Sequence, residues 1–197
     1  MISKKKVSSI IFAAGKSERM EFPKQFLKFN EEFTFIENIA FEFFNFGCSE
    51  IIIVVNERDE IHYADLKLSF CKFVVNRNID LGRFYSVKIG LGEALKSDSD
   101  FFFLHNSDMP FVKYQTLDLL WKNKKSNSFS VPYFNEKGGH PILIPRKIAK
   151  YLKNKSEIYS DLKKELSIFE KNKIATTDDK ILLNINTKET YNQYFNY

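Results

Sequence analysis

Residues 7–27, VSSIIFAAGKSERMEFPKQFL, decide the fold. They open with an apolar run over 7–12 that has the β-branched bias of a buried strand. The run breaks at Ala13-Ala14-Gly15 into a polar loop that carries Lys16, Ser17, Arg19 and Lys24. Small residues directly after a strand let backbone N–H groups approach a phosphate closely. The cations that follow can neutralise a triphosphate, Arg as a planar fork and Lys as a point charge. The stretch therefore reads as a nucleoside triphosphate loop, with an ordinary strand and basic surface loop as the alternative. Two other readings fail on spacing. A secretory signal needs a longer apolar segment than the one that Ser8 and Ser9 interrupt. A Walker A loop needs a glycine where this chain has Ile10.

The pattern Ala-Ala-Gly-x-Ser-x-Arg-Met-x-x-x-Lys at 13–24 resembles the signature loop of the MobA/MocA-like nucleotidyltransferases, which make dinucleotide forms of the molybdenum cofactor. The resemblance implies that Ala13, Ala14, Gly15, Lys16 and Ser17 lie against the nucleotide and its phosphates. By the same resemblance Arg19 and Lys24 are catalytic: they bind the triphosphate and stabilise departing pyrophosphate. Glu21 departs from the pattern, standing where the family has glycine.

Composition narrows the setting. With 197 residues, 44% of them apolar and 21 of them Phe, the chain is long and apolar enough for one self-sufficient domain, taken as residues 1–197. No apolar run approaches the ~20 residues of a membrane span, so neither a membrane nor an export route is expected, and the cytoplasm is. Cys48 and Cys71 lack metal spacing and read as reduced thiols. A net charge of +5 suits a polyanionic partner, but the lysines are scattered rather than interleaved with aromatics, so nucleic acid is not the expected one.

Strands and helices alternate along the chain. Residues 33–46 carry a helical stripe (Phe35, Ile36, Ile39, Phe43, Phe44) that stops at Gly47. A doubly buried strand is expected over 51–55, a helix over 57–70, a strand over 72–75 and a helix over 84–95. Further strands are expected over 100–104, 128–134, 142–144 and 181–185. Helices are expected from 112 onward, over 146–152 and over 159–166. Such alternation predicts an α/β domain with a mostly parallel sheet, whose ligand sits at the carboxyl ends of the strands.

Four later segments carry candidate chemistry. Asn76, Gly82 and Ser86 follow the third strand, and by resemblance Asn76 and Gly82 lie near the base or ribose; a loop with a helix cap is the alternative. Asp108, before Met109-Pro110, is a lone carboxylate at a strand end, the donor Mg²⁺ takes alongside phosphate oxygens. It resembles the family's Gly-Asp-x-Pro metal motif, with Ser107 in place of glycine. His105 reads as a packed residue. Gly138-Gly139-His140-Pro141 resembles the family's Gly-His-Pro segment, which implies that Gly139, His140 and Pro141 shape the acceptor side; a hairpin whose glycines supply positive φ is the alternative. Asn184-Ile185-Asn186-Thr187 resembles the family's closing motif, which makes Asn186 a second metal oxygen or else part of a helix cap. Asp178-Asp179 reads as a solvated turn.

Taken in order, the motifs imply a three-layer α/β/α nucleotidyltransferase (GT-A-like, Rossmann-like) domain with a mostly parallel, twisted sheet. The implied reaction is Mg²⁺-dependent transfer of a nucleoside monophosphate to a phosphorylated acceptor such as molybdopterin, with pyrophosphate released. Ala14 in place of a second glycine favours CTP over GTP, while the Asn-x-Asn ending resembles the guanylyltransferase branch. A molybdoenzyme or its chaperone would receive the product. Pro23-Lys24-Gln25-Phe26-Leu27 also resembles methylerythritol-phosphate cytidylyltransferases, so a sugar or polyol phosphate acceptor stays open. So does a nucleotide-binding regulator without turnover.

Overall fold

The computed structural model describes residues 5–15 and 22–195. Its axis is β1 (Lys5–Ala13). With a side-chain period of two, Val7, Ile11 and Ala13 enter one buried cluster while Ile10 and Phe12 enter another on the opposite face. β2 (Cys48–Asn56) and β4 (Phe101–Asn106) flank β1, both parallel to it, and β3 (Lys72–Asn76) extends the sheet in parallel beyond β2. The other edge is mixed. β7 (Ile142–Pro145) runs antiparallel to β4, β5 (Ser128–Phe134) antiparallel to β7 and to the short β6 (Lys137–Gly138), and β8 (Glu170–Ala175) parallel to β5. The path β3-β2-β1-β4-β7-β5-β6, with β8 beside β5, makes one eight-stranded sheet.

Helices cover both faces. α1 (Phe35–Phe46) and α3 (Tyr114–Lys122) pack on one side, α2 (Arg83–Ala94) and α4 (Arg146–Asn154) on the other. α1 begins with a reciprocal capping box between Thr34 and Glu37 and ends at Gly47, whose φ of 92° suits glycine. α2 lies close to the sheet because residue 90 has no side chain. A Cβ there would come 2.6 Å from Cγ2 of Ile10 and 2.9 Å from Cγ2 of Val54. Arg146 closes the far end of α2 by donating to the carbonyls of Leu95, Ser97 and Ser99. A third cluster of Phe35, Ile185 and Phe195 seats the segment before α6 (Lys188–Tyr194) against the start of α1.

Four sequence expectations are corrected. Residues 57–70 form only a 3-10 turn, Glu60–Tyr63. Their apolar residues do not share one helical stripe, since Tyr63 and Leu68 are buried while Ile61 is 76% exposed, and Asn56 bonds the Asp59 N–H to make a turn instead. Residues 181–185 are not a strand: the 3-10 turn Asp179–Leu182 leads into an extended segment outside the sheet. The helix expected over 159–166 shortens to α5 (Leu162–Leu166), because Asp161 caps it by accepting from the N–H groups of Lys163 and Lys164. In the hairpin, positive φ falls on Asn135 and Glu136 rather than on the glycine pair. β8 was not foreseen, since EKNKIA buries only Ile174 and has the lysine-rich look of an edge strand.

Cys48 and Cys71 are free thiols. Among the described residues no helix is long and apolar enough to cross a membrane.

The contact at residue 90 sets a test of the helix-to-sheet spacing. Gly90→Ala is expected to destabilise the fold by about 1–3 kcal/mol through overpacking. Gly92→Ala, which meets nothing within 4 Å, is expected to stabilise it by up to about 1 kcal/mol through helix propensity. Urea unfolding measures both, and equal effects at the two positions would refute the account.

Candidate active site

β1 and β4 end side by side, and their carboxyl ends form the floor of a cavity of about 550 Å³. Ala14 and Gly15 line it, while Ala13 is buried beneath. Lys16, Ser17, Arg19 and Glu21 lie outside the described residues.

Cationic and acidic groups meet at one end. Lys24 stands on a 3-10 turn, Lys24–Phe26, whose next residue is pinned: Nε2 of buried Gln25 donates to Oδ2 of Asp59 at 2.8 Å, and Nδ2 of Asn56 donates to the same oxygen. The Lys24 ammonium donates to Oδ1 of Asn186 at 2.6 Å. Asp108 lies on the same wall, and its Oδ1 is buried without a hydrogen-bond partner. Burial raises the Asp108 carboxyl above its ordinary range, against the opposing pull of Arg83 and Lys24. The backbone N–H of Ile185 donates to the Asp108 carbonyl at 2.7 Å, which brings Asn186 to this end. Thr187, not Asn186, caps α6, by accepting from the N–H of Thr190.

Ile79, Gly82 and Ser86 line the same cavity from the start of α2. Gly82 holds φ 84° with ψ 177°, a conformation open to glycine, as the chain turns into the helix. Asn76 does not line the cavity. It is 1% exposed and stands behind Ser86, to which its Nδ2 donates at 2.9 Å.

A second cavity, of about 580 Å³, opens between α2, β5, β7 and α5, and shares Phe12, Arg83 and Asn106 with the first. Gly139 and His140 line it, but Pro141 does not. A Cβ on Gly139 would come 2.2 Å from the carbonyl oxygen of Ile181, so glycine serves close chain packing there. His140 holds Leu104 O through Nδ1 and Nδ2 of Asn106 through Nε2, each at 3.3 Å. Nδ1 therefore carries the proton and Nε2 accepts. Burial pushes the ring down to about 4, so it is neutral at pH 7 and orients Asn106 rather than moving a proton. His105 is packed, as expected: its Nε2 faces the Met109 carbonyl at 2.9 Å. Asp178 is held by Thr116 and Lys113 in a surface turn.

Two cavity residues were missed in the sequence. Arg83 borders both cavities, and among the described residues it has no hydrogen-bond or ion-pair partner. Its signal was its place as the first residue after Gly82. Gln25 adjoins Lys24, and nothing in its type announced that it would be buried.

A cavity of about 550 Å³ at the carboxyl ends of parallel strands, with Lys24 and Arg83 beside one half-buried carboxylate, fits an α/β nucleotidyltransferase fold. Residues 9–172 match the MobA-like NTP transferase domain, and the chain belongs to that family. A relative from Peptoclostridium acidaminophilum, named "Probable molybdenum cofactor guanylyltransferase", is 34% identical over 113 residues, 56% of this chain and 46% of that one. The 2-C-methyl-D-erythritol 4-phosphate cytidylyltransferase of Fusobacterium nucleatum is 31% identical over 117 residues, 56% of this chain and 49% of that one. The chain thus matches about half the length of each. A Clostridium perfringens protein, also named "Probable molybdenum cofactor guanylyltransferase", is 28% identical across 96% of this chain and 90% of its own. The fold of Rv0371c from Mycobacterium tuberculosis superposes with a TM-score of 0.83 at 19% identity, covering 97% of this chain and 98% of that one.

Buried His105 makes stability depend on pH. Burial, aided by the nearby His140, pushes it from 6.5 down to about 3, so between those values the unfolded chain binds more protons than the folded one. The contribution is complete above pH 6.5 and is lost as pH falls, by up to about 1.4 kcal/mol per unit. Urea titrations from pH 6.5 to 4 should show a shallower slope for His105→Gln. An unchanged slope would mean that His105 is not held neutral.

Proposed function

We propose that the chain transfers a nucleoside monophosphate from a nucleoside triphosphate to the phosphate of an organic acceptor. The observation that carries this reading is Asp108: a carboxylate with an unpartnered buried oxygen, in the same cavity as Lys24 and the loop after β1. That orphaned oxygen fits Mg²⁺, which takes one or two carboxylates and completes its shell with phosphate oxygens and water. Asp108 would hold the ion, which when bound neutralises phosphate charge, and the side-chain oxygen of Asn186 would join it once Lys24, which it now holds at 2.6 Å, turns to the phosphates.

Lys24 grips the triphosphate, and Arg19 has the same role by its place in the loop. An acceptor phosphate oxygen attacks the α-phosphorus while the bond to the bridging oxygen breaks, and that electron pair leaves with pyrophosphate. No side chain acts as nucleophile. The protein's contribution is alignment and charge neutralisation.

Ala14 supports cytosine, because its methyl narrows the cavity beside the loop; the names of the relatives divide between guanylyl and cytidylyl transfer. For the acceptor we favour molybdopterin. Phe84, Phe129, Val131 and Ile142 wall the second cavity, and such a surface suits a flat ring system better than a polyol.

Pyrophosphate release with Mg²⁺ and molybdenum-loaded molybdopterin is expected from CTP. Faster release from GTP would reverse the base assignment, and turnover only with a polyol phosphate would reverse the acceptor. Nucleotide binding without turnover on either acceptor would make the protein a binder. Asp108→Ala is expected to lower turnover by roughly 10²–10³-fold with folding intact. Lys24→Ala is expected to weaken triphosphate binding by about tenfold. Wild-type kinetics in both variants would remove these residues from the mechanism.

A further inference from the structure

The segment after β2 grips the turn that carries Lys24 at two consecutive residues. Asp59 accepts from buried Gln25, Nε2 to Oδ2 at 2.8 Å. Further along the same segment, His62 and Tyr63 meet Phe26 edge to face, with ring centroids 5.6 and 4.8 Å away. Asp59 is itself tied to the sheet. Asn56, the last residue of β2, donates Nδ2 to the same Oδ2 at 2.8 Å and accepts the Asp59 N–H through its Oδ1 at 2.8 Å. A carboxylate oxygen only accepts, so both amides must turn their nitrogens to it. The Asn56 side chain is thus fixed at both ends.

The turn under Lys24 has little rigidity of its own. It is three residues long, with backbone bonds at 3.1 Å from Phe26 to Pro23 and from Leu27 to Lys24, and Pro23 gives it no side-chain cap. Hydrogen bonds in so short a 3-10 turn are poorly aligned, so what packs on it sets its direction. The ring contacts of Phe26 hold its place, whereas the Gln25–Asp59 bond is directional. Lys24 and Gln25 line the first cavity; Asp59 does not.

We propose that Asp59 is a positioning residue that aims the Lys24 ammonium at the triphosphate, acting through Gln25 and without touching the nucleotide. This inference rests on the proposed role of Lys24 and deepens it, because the end of β2 becomes the reference from which the cation is aimed. The arrangement uses the oxygen of Asp59 rather than its charge. Both amides bond one oxygen, and among the described residues Oδ1 has no hydrogen-bond partner. An asparagine at 59 can set its carbonyl oxygen where Oδ2 stands. Residue 59 is half-buried, so the amide nitrogen then meets water.

Calorimetry on the full chain, with Mg²⁺–CTP and Mg²⁺–GTP as probes, tests this. Asp59→Ala is expected to weaken binding of the preferred nucleotide about fivefold, and less than about twofold when Lys24→Ala is already present. Asp59→Asn is expected to bind within about twofold of wild type, because the acceptor oxygen is restored. Equal losses for Asp59→Ala in both backgrounds would mark a general structural effect and overturn the proposal. An Asn variant as weak as the Ala variant would also overturn it, since charge rather than aim would then be at work. Should Asp59→Ala fail to fold, Gln25→Met replaces it. That change removes the donor at similar side-chain length and is expected to cost about fivefold, again only when Lys24 is present. Failure of the wild-type chain to bind either nucleotide would overturn the functional reading and this inference with it. Binding that Lys24→Ala weakens, with an additive cycle, overturns this inference alone.

Discussion

Everything at the site depends on β1 being hydrogen-bonded in parallel on both sides. Because β2 and β4 run the same way as β1, three carboxyl ends open at one edge of the sheet. The chain leaves β1 toward β2 and β3, then crosses back to β4 on the other side, so the loops after β1 and β4 part and leave a crevice. Two buried faces fix the register of β1, since a slip of one residue would turn Ile10 and Phe12 out of their cluster. The floor of the cavity is thus as rigid as the core itself.

On that floor the chain sets few charges, each held by a neutral neighbour. Asn186 orients Lys24, Gln25 is tethered to Asp59, and Asn106 is oriented by a His140 that carries no charge at neutral pH. Asp108 and Arg83 are the exceptions among the described residues: a half-buried carboxylate with an oxygen left unmatched, and a guanidinium with no hydrogen-bond or ion-pair partner. Among the described residues the cations Lys24 and Arg83 outnumber the one carboxylate that lines this cavity, which favours an anion there.

The sequence made β1, α1, β2, β3 and α2 legible because each has a clean apolar period and Gly47 or Gly82 marks a boundary. It also singled out Ala14, Gly15, Lys24 and Asp108, which the fold brings to one cavity. It misled over 57–70, where composition looked helical but the apolar residues share no face, and over 181–185, where an apolar run serves an aromatic cluster instead of a ladder. Arg83, and the location of Asn76 behind the cavity wall, could not be read at all. Both depend on how α2 sits against the sheet, which Gly90 lets it approach closely.

The bond between Lys24 and Asn186 joins parts of the chain 162 residues apart, and cluster packing at Ile185 and Phe195 holds the later part in place. Synthesis on the ribosome proceeds in one direction, so the parallel half of the sheet is already made while Asn186 does not yet exist. Until that late segment docks, the ammonium of Lys24 lacks this oxygen. The charge array therefore waits on a segment made 162 residues after Lys24, and the cleft stays unfinished until that segment has been translated.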